Sequence, residues 1–399
     1  MASLGVEMEV IALIAIILCT SFAQALSRIE EENIERQLKL LRKPAIKTIK
    51  TKFGDLYDCV DFYKQPAFDH PSLKNHTFHF QMKPSYYRKE VKKTIKGGNR
   101  QRNKWAKTLW ANGKGCPYGT IPIRRTTRED LHREMLRLKV IHNSRINPLT
   151  AGNDGVHYAL VQTRPSPIAK YTGVGAFMTI WNVPVTGSQY SAAQIKIQNG
   201  NEYLQTGWRV DPTLNGDNKT RTFIYTHVGQ SQCYNTRCPG FVLVRQDMPI
   251  DVTLPISKGG GPMYSIQLTI SQDPITKNWW LARGSDNPTY VGFWPRSLFT
   301  SLQGMAPYVN WGGEVFSPPG EPSPRMGAGY PLRLWGKYDA QMFLVTYRNE
   351  TNNIINAINT QEFADTRKYY DVKDFGIDYS EIQKIGHLLL YGGPGGIRN

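Results

Sequence analysis

From Val156 onward, Val, Ile, Thr, Tyr, Phe and Trp recur in short runs separated by Gly, Pro, Asn and Asp, with almost no helical periodicity. The runs predict strands at His157–Gln162, Gly175–Trp181, Tyr203–Val210, Thr222–His227, Gly240–Arg245, Tyr264–Ser271, Trp279–Arg283, Tyr308–Val315 and Gln341–Tyr347. Only Ser297–Leu302 reads as helical. Many short strands at regular spacing predict an antiparallel β-sandwich or barrel, and the roughly 250 residues available suffice for one large two-sheet core.

Residues 26–150 carry a different pattern. Ser27 and Glu30 form a capping box, Ile34, Leu38 and Leu41 share a helical face, and Pro44 ends that helix. A second helix is predicted over Thr127–Ile141, with Glu129 and Asp130 in its first turn. Between them Thr48–Tyr63 and Thr77–Met82 read as strands, so this unit is small and of α+β type. The texture changes near position 150, and Gly152-Asn153-Asp154-Gly155 supplies turn chemistry at the join. The expected organisation is therefore 1–25, 26–150 and 151–399.

The first 25 residues predict a cleavable signal peptide. The apolar run Val10–Leu18 is too short to span a bilayer, and Ala23-Gln24-Ala25 is a cleavage pattern, although Glu7 and Glu9 replace the usual basic residues. Export to the extracellular space or a vacuole follows, with no membrane attachment after cleavage. Acceptor sequons at Asn75, Asn218 and Asn349 fit that route. Loss of the leader removes Cys19 and leaves Cys59, Cys116, Cys233 and Cys238, an even set that predicts two disulfides. Cys233 and Cys238 would staple a local loop and Cys59 with Cys116 a long one, while spacing alone leaves three pairings open. A zinc site is the rival reading, and no further Cys or His stands at ligand spacing, so no metal is expected.

The net charge of +17 first suggests a nucleic-acid binder. Its distribution argues otherwise: 28 of the 49 Lys and Arg, but only 12 of the 32 Asp and Glu, lie between positions 26 and 150. The densest stretch, Arg88–Lys107, has Gly97-Gly98 and little apolar periodicity, the mark of a solvated loop or processing site rather than of a nucleic-acid surface.

HExxH, GxSxG and P-loop signatures are absent. Glu314 stands out in Trp311-Gly312-Gly313-Glu314-Val315, a carboxylate inside an apolar strand-like stretch, where it suits general acid/base work. The plainer alternative is a structural carboxylate satisfied by backbone amides near the two glycines.

Several motifs in order resemble the plant neprosin family: Leu204-Gln205-Thr206-Gly207-Trp208, Cys233-Tyr234-Asn235 with Cys238-Pro239-Gly240-Phe241-Val242, Val291-Gly292-Phe293-Trp294-Pro295, Trp311 to Val315, and Tyr391-Gly392-Gly393-Pro394-Gly395. Upstream, Tyr57-Asp58-Cys59-Val60-Asp61, Gln65 to Pro71 and Cys116 to Thr126 resemble the neprosin activation peptide. The resemblance implies an all-β mature domain, an antiparallel two-sheet β-sandwich, preceded by a small α+β pro-domain that inhibits it. It also implies a glutamic endopeptidase without metal or cofactor, cleaving proline-containing peptides or proteins after proline at acidic pH.

The second catalytic glutamate of the family falls on Glu314, and the first, two residues before Gly-Trp, falls on Gln205. A Gln/Glu pair resembles that of the fungal eqolisins, in which an amide stands beside the carboxylate. Glu202 is no substitute, because three residues along a strand change face and height. Gln205 and Glu314 are expected on neighbouring strands with converging side chains. Trp208 and Trp311, close in sequence to this pair, are candidates to hold substrate. The alternative is a secreted pseudoenzyme whose groove binds proline-rich proteins or cell-wall polymers without cleaving them.

Overall fold

Period-two alternation builds two large antiparallel sheets. The computed structural model describes residues 24, 28–87, 107–141, 155–229, 231–284, 288–334, 336–378 and 385–396. The signal segment, most of the Arg88–Lys107 run and most of the join near 150 lie outside them.

A seven-stranded sheet has the order β17 (Thr360–Ala364), β4 (Val156–Thr163), β14 (Tyr308–Phe316), β6 (Tyr190–Asn199), β7 (Glu202–Val210), β8 (Arg221–Val228), β9 (Ser231–Tyr234). A nine-stranded sheet faces it, ordered β10 (Val242–Leu243), β13 (Thr289–Trp294), β12 (Trp279–Arg283), β11 (Ser265–Gln272), β5 (Gly173–Thr179), β15 (Ala340–Arg348), β19 (Gly386–Gly392), β18 (Asp371–Asp378), with β16 (Ile354–Asn356) beside β15. The described architecture is thus an antiparallel two-sheet sandwich.

Inward positions of the seven-stranded sheet, among them Ala193, Ile195, Ile197, Leu204 and Val309, meet Val174, Ala176, Met178, Leu268 and Ile270 of the other in one buried cluster. Burial of this apolar surface is the main stabilising term. The opposite face of the seven-stranded sheet has its own apolar groups, Tyr158, Leu160, Tyr190 and Phe316 towards one edge and Ala192, Phe223, Tyr225 and Tyr234 towards the other.

The N-terminal unit holds a helix α1 at 28–41, a three-stranded sheet β1 (Ala45–Lys50), β2 (Leu56–Asp61) and β3 (Thr120–Arg124), and a helix α2 (Arg128–Ile141). The stretch predicted as one strand over Thr48–Tyr63 is a hairpin, turned at Gly54 with φ +99°. Cys59 pairs with Cys116, and Cys233 with Cys238. The unit is built into the sandwich: Val60, Phe62, Leu73 and Ile121 join the central cluster. Tyr57 and Trp110 pack with Val252.

Three expectations fail for identifiable reasons. Thr77–Met82 is no strand: Gln81 takes φ +61°, and the segment lays Phe78, Phe80 and Met82 onto the core instead. Ser297–Leu302 contains only a 3-10 turn at Arg296–Leu298, because the N–H groups of Thr300, Ser301 and Leu302 bond the Glu202 carboxylate. Gly240–Arg245 keeps only the two-residue strand β10, and Gly240 itself lies at φ +128°.

Candidate active site

Gln205 and Glu314 both stand on the face of the seven-stranded sheet turned away from the other sheet. They are not on neighbouring strands: β7 and β14 flank β6. In register Gln205 is level with Lys196 of β6, and Glu314 is level with Ala192, four positions away. The row between them is Gly207, Gln194 and Gly312.

That middle row explains how so offset a pair meets. A Cβ on Gly207 would stand 1.8 Å from the Ala193 carbonyl oxygen, and one on Gly312, at φ +143°, would stand 2.2 Å from that of Ala159. Only glycine permits such close approach of neighbouring strands. Strands β7 and β14 therefore carry no side chain in the middle row, and Gln194 of β6 is the one residue there that has one. Gln205 Nε2 donates to Glu314 Oε2 at 2.9 Å.

Both residues are buried, at 4% and 7% exposure. Tyr190 Oη donates to Glu314 Oε1 at 2.7 Å, and Arg209 Nη1 lies 3.8 Å from the same oxygen. Arg209 is itself held, its guanidinium 3.4 Å above the Tyr190 ring and its Nε donating to Asp211 at 2.7 Å. Burial, then the neighbouring Glu314 charge, keeps the Tyr190 phenol well above its ordinary pKa, so it stays a proton donor. Each Glu314 oxygen thus accepts from a fixed donor, and Gln205 retains a second amide N–H for another acceptor.

Gln194, central in the middle row, donates to Asn310 Oδ1 at 2.8 Å; Asn310 donates to Tyr308 Oη, which donates to Gln162. This chain orients the Gln194 amide, whose buried Oε1 has no partner among the described residues. Lys196, beside Gln205, is buried, and desolvation pushes its pKa down to about 8 against the pull of Glu314. Tyr190, Gln194, Lys196, Arg209 and Asn310 escaped sequence reasoning. The alternation of Ala193, Ile195 and Ile197 with polar residues on β6 was the signal that would have found three of them.

Trp208 and Trp311 do not line this face. Both are fully buried between the sheets, with Trp208 Nε1 donating to Thr179 O and Trp311 Nε1 to Gly175 O. Trp208 stands three positions from Gln205 and Trp311 three from Glu314, and an odd offset along a strand puts side chains on opposite faces. They pin the two sheets together and offer no surface to a substrate. Glu202 is structural as well: its carboxylate accepts from Thr300 N and Oγ1, Ser301 N and Leu302 N. Burial alone would raise its pKa, but these donors hold it below the ordinary value. Asn75 and Asn218 are exposed, while Asn349 is half-buried and accepts from Thr351 and from Asn353 N. No three His, Cys, Asp or Glu side chains converge in a metal-holding group among the described residues.

An N-terminal unit followed by this sandwich is the order of two family models. The neprosin activation peptide model matches residues 48–162, and the Neprosin model matches residues 187–394. The chain belongs to the neprosin family. Among solved structures it is similar to a scytalido-glutamic peptidase bound to a peptide-based transition-state analogue, at 10% identity, TM-score 0.32, over 60% of this chain and 97% of that one. It is also similar to SCP-B, an eqolisin-family peptidase in complex with the tripeptide Ala-Ile-His, at 10% identity, TM-score 0.31, over 60% and 97%.

Proposed function

We propose that this protein is the secreted precursor of a glutamic endopeptidase that hydrolyses peptide bonds after proline at acidic pH, with Glu314 and Gln205 as its working pair. The 2.9 Å contact between them is the observation that carries this reading. In it, Glu314 takes a proton from the attacking water, the hydroxyl adds to the scissile carbonyl, and the amide of Gln205 donates to the developing oxyanion. Glu314 then returns the proton to the leaving amine. Tyr190 and Arg209 hold the carboxylate in position throughout.

Residues 1–25 serve as the export signal and 26–150 as the inhibitory pro-domain, with processing between Lys104 and Asp154. The two disulfides and the exposed sequons at Asn75 and Asn218 accord with an extracellular or vacuolar destination. No described helix is long and apolar enough to cross a membrane.

One observation favours a second reading. Glu314 is already hydrogen-bonded at both oxygens and touches Gln205 directly, as in a carboxylate retired into structure. On that reading the groove binds proline-rich proteins or cell-wall polymers without cleaving them. The deciding experiment incubates the purified precursor at acidic pH and follows self-processing and cleavage of a proline-containing peptide. Activity lost in Glu314→Gln supports the peptidase. An inert wild type restored by Gln205→Glu supports the binding module, and inertness of both defeats the peptidase reading.

A further inference from the structure

Lys196 is an unusual cation. It is only 5% exposed, it occupies the register position directly beside Gln205 on one side and Asn310 on the other, and it shares the functional face with Glu314. Among the described residues its ammonium has no hydrogen-bond acceptor and no carboxylate within ion-pair distance; its contact is the Tyr203 ring, 3.9 Å from Nζ to centroid. A buried ammonium without a counter-ion is costly, and such a cost is retained where an incoming group repays it. Glu314 acts on it only at a distance, its two oxygens being taken up by Tyr190 and Gln205, while the nearby Arg209 is paired with Asp211. The Lys196 ammonium is thus a cation on this face with no direct hydrogen-bond or ion-pair partner among the described residues.

We propose that Lys196 binds a substrate carboxylate, so that the cleft selects peptides carrying an acidic side chain or a free C-terminal carboxylate close to the bond that is cut. Directly paired strand positions stand about 5 Å apart at Cβ. An extended peptide advances about 3.3 Å per residue. The four-carbon stem therefore reaches one or two residues from the carbonyl held by Gln205. The Tyr203 ring against which the ammonium rests is itself stacked on His227 at 4.9 Å.

The proposal rests on the peptidase reading of the same cleft, and its test separates the two. The full chain, after acid incubation, is given peptides with one proline core: a blocked neutral peptide, one with Glu near the proline, its Gln counterpart, and one with a free C-terminus. At about pH 5, where such carboxylates are ionised, kcat/KM and binding by fluorescence anisotropy are measured for wild type, Lys196→Met and Lys196→Arg. The expected result is about a tenfold or greater preference for a carboxylate peptide, falling to parity in Lys196→Met and largely kept in Lys196→Arg. Preference for the Glu peptide identifies an acidic side chain as the ligand, and preference for the free end identifies the C-terminus. Equal treatment of carboxylate and neutral peptides, or a ratio unchanged in Lys196→Met, overturns the proposal. If nothing is cleaved, the peptidase reading falls while carboxylate-dependent binding still decides this one.

Discussion

The Gln205 amide reaches Glu314 across a third strand: their contact of 2.9 Å joins β7 to β14 over β6, between positions offset by four residues along it. The pair depends on Gly207 and Gly312, which leave the row between them without a side chain on either side of Gln194.

Substitution of either glycine should therefore act on the site through the backbone. Gly207→Ala must push against the Ala193 carbonyl, and Gly312→Ala adds an unfavourable φ. Each is expected to cost about 2 kcal/mol or more, read from urea denaturation, and to lower peptide hydrolysis further than the loss of folded protein accounts for.

Tyr190→Phe removes one donor from Glu314 and leaves the ring on which Arg209 rests. A hydrogen bond to a charged group is worth about 1.5 kcal/mol. The variant should therefore lose roughly tenfold in kcat, with little change in KM. A change confined to KM would place Tyr190 in substrate binding instead.

Trp208→Ala separates a core residue from a substrate wall. Its indole crosses from β7 to the Thr179 carbonyl, so truncation opens a cavity between the sheets and should cost about 3–5 kcal/mol. Thermal unfolding should show that loss, while the KM of the protein that remains folded stays near wild type.

Acid should loosen the docking of the N-terminal unit at one identifiable point. Arg221, 1% exposed on β8, donates at 2.7 Å to both Asp55, in the β1–β2 turn, and Asp217. Burial works to raise the Asp55 pKa, but the hydrogen bond and charge of Arg221, with Arg124 and Thr253, outweigh it and hold the carboxyl below its ordinary 3.8. A depressed carboxyl contributes its stability above the unfolded value and loses it as pH falls through the folded one. Protease sensitivity of the N-terminal unit should accordingly rise below 3.8 in the wild type. Asp55→Asn should raise it already at neutral pH and flatten its acid dependence.

Local pattern carried much of this structure. Trp279–Arg283 was predicted to the residue, Tyr308–Val315 and Tyr203–Val210 to within one, and the absence of helical periodicity after Val156 pointed to sheets. Strand β6 is missing from the sequence reading because Ala193, Ile195 and Ile197 face the core while its Gln and Lys positions, on the opposite face, dilute the apolar signal. The same local view placed Trp208 and Trp311 beside Gln205 and Glu314. Alternation sends them to the other side of the sheet.

The sequence by itself determined the all-β character after Val156, several of its strands and the cysteines available for pairing, since each rests on residue type and short-range spacing, while the resemblance to the neprosin family singled out Gln205 and Glu314. Only the tertiary structure decided that those two residues touch. They lie 109 positions apart, and their meeting depends on the register of three strands and on backbone approach at two glycines. These are long-range relations that no local period encodes. The surroundings of the pair were decided at the same level: Tyr190, Arg209 and Lys196 gain their places only once β6 lies between β7 and β14.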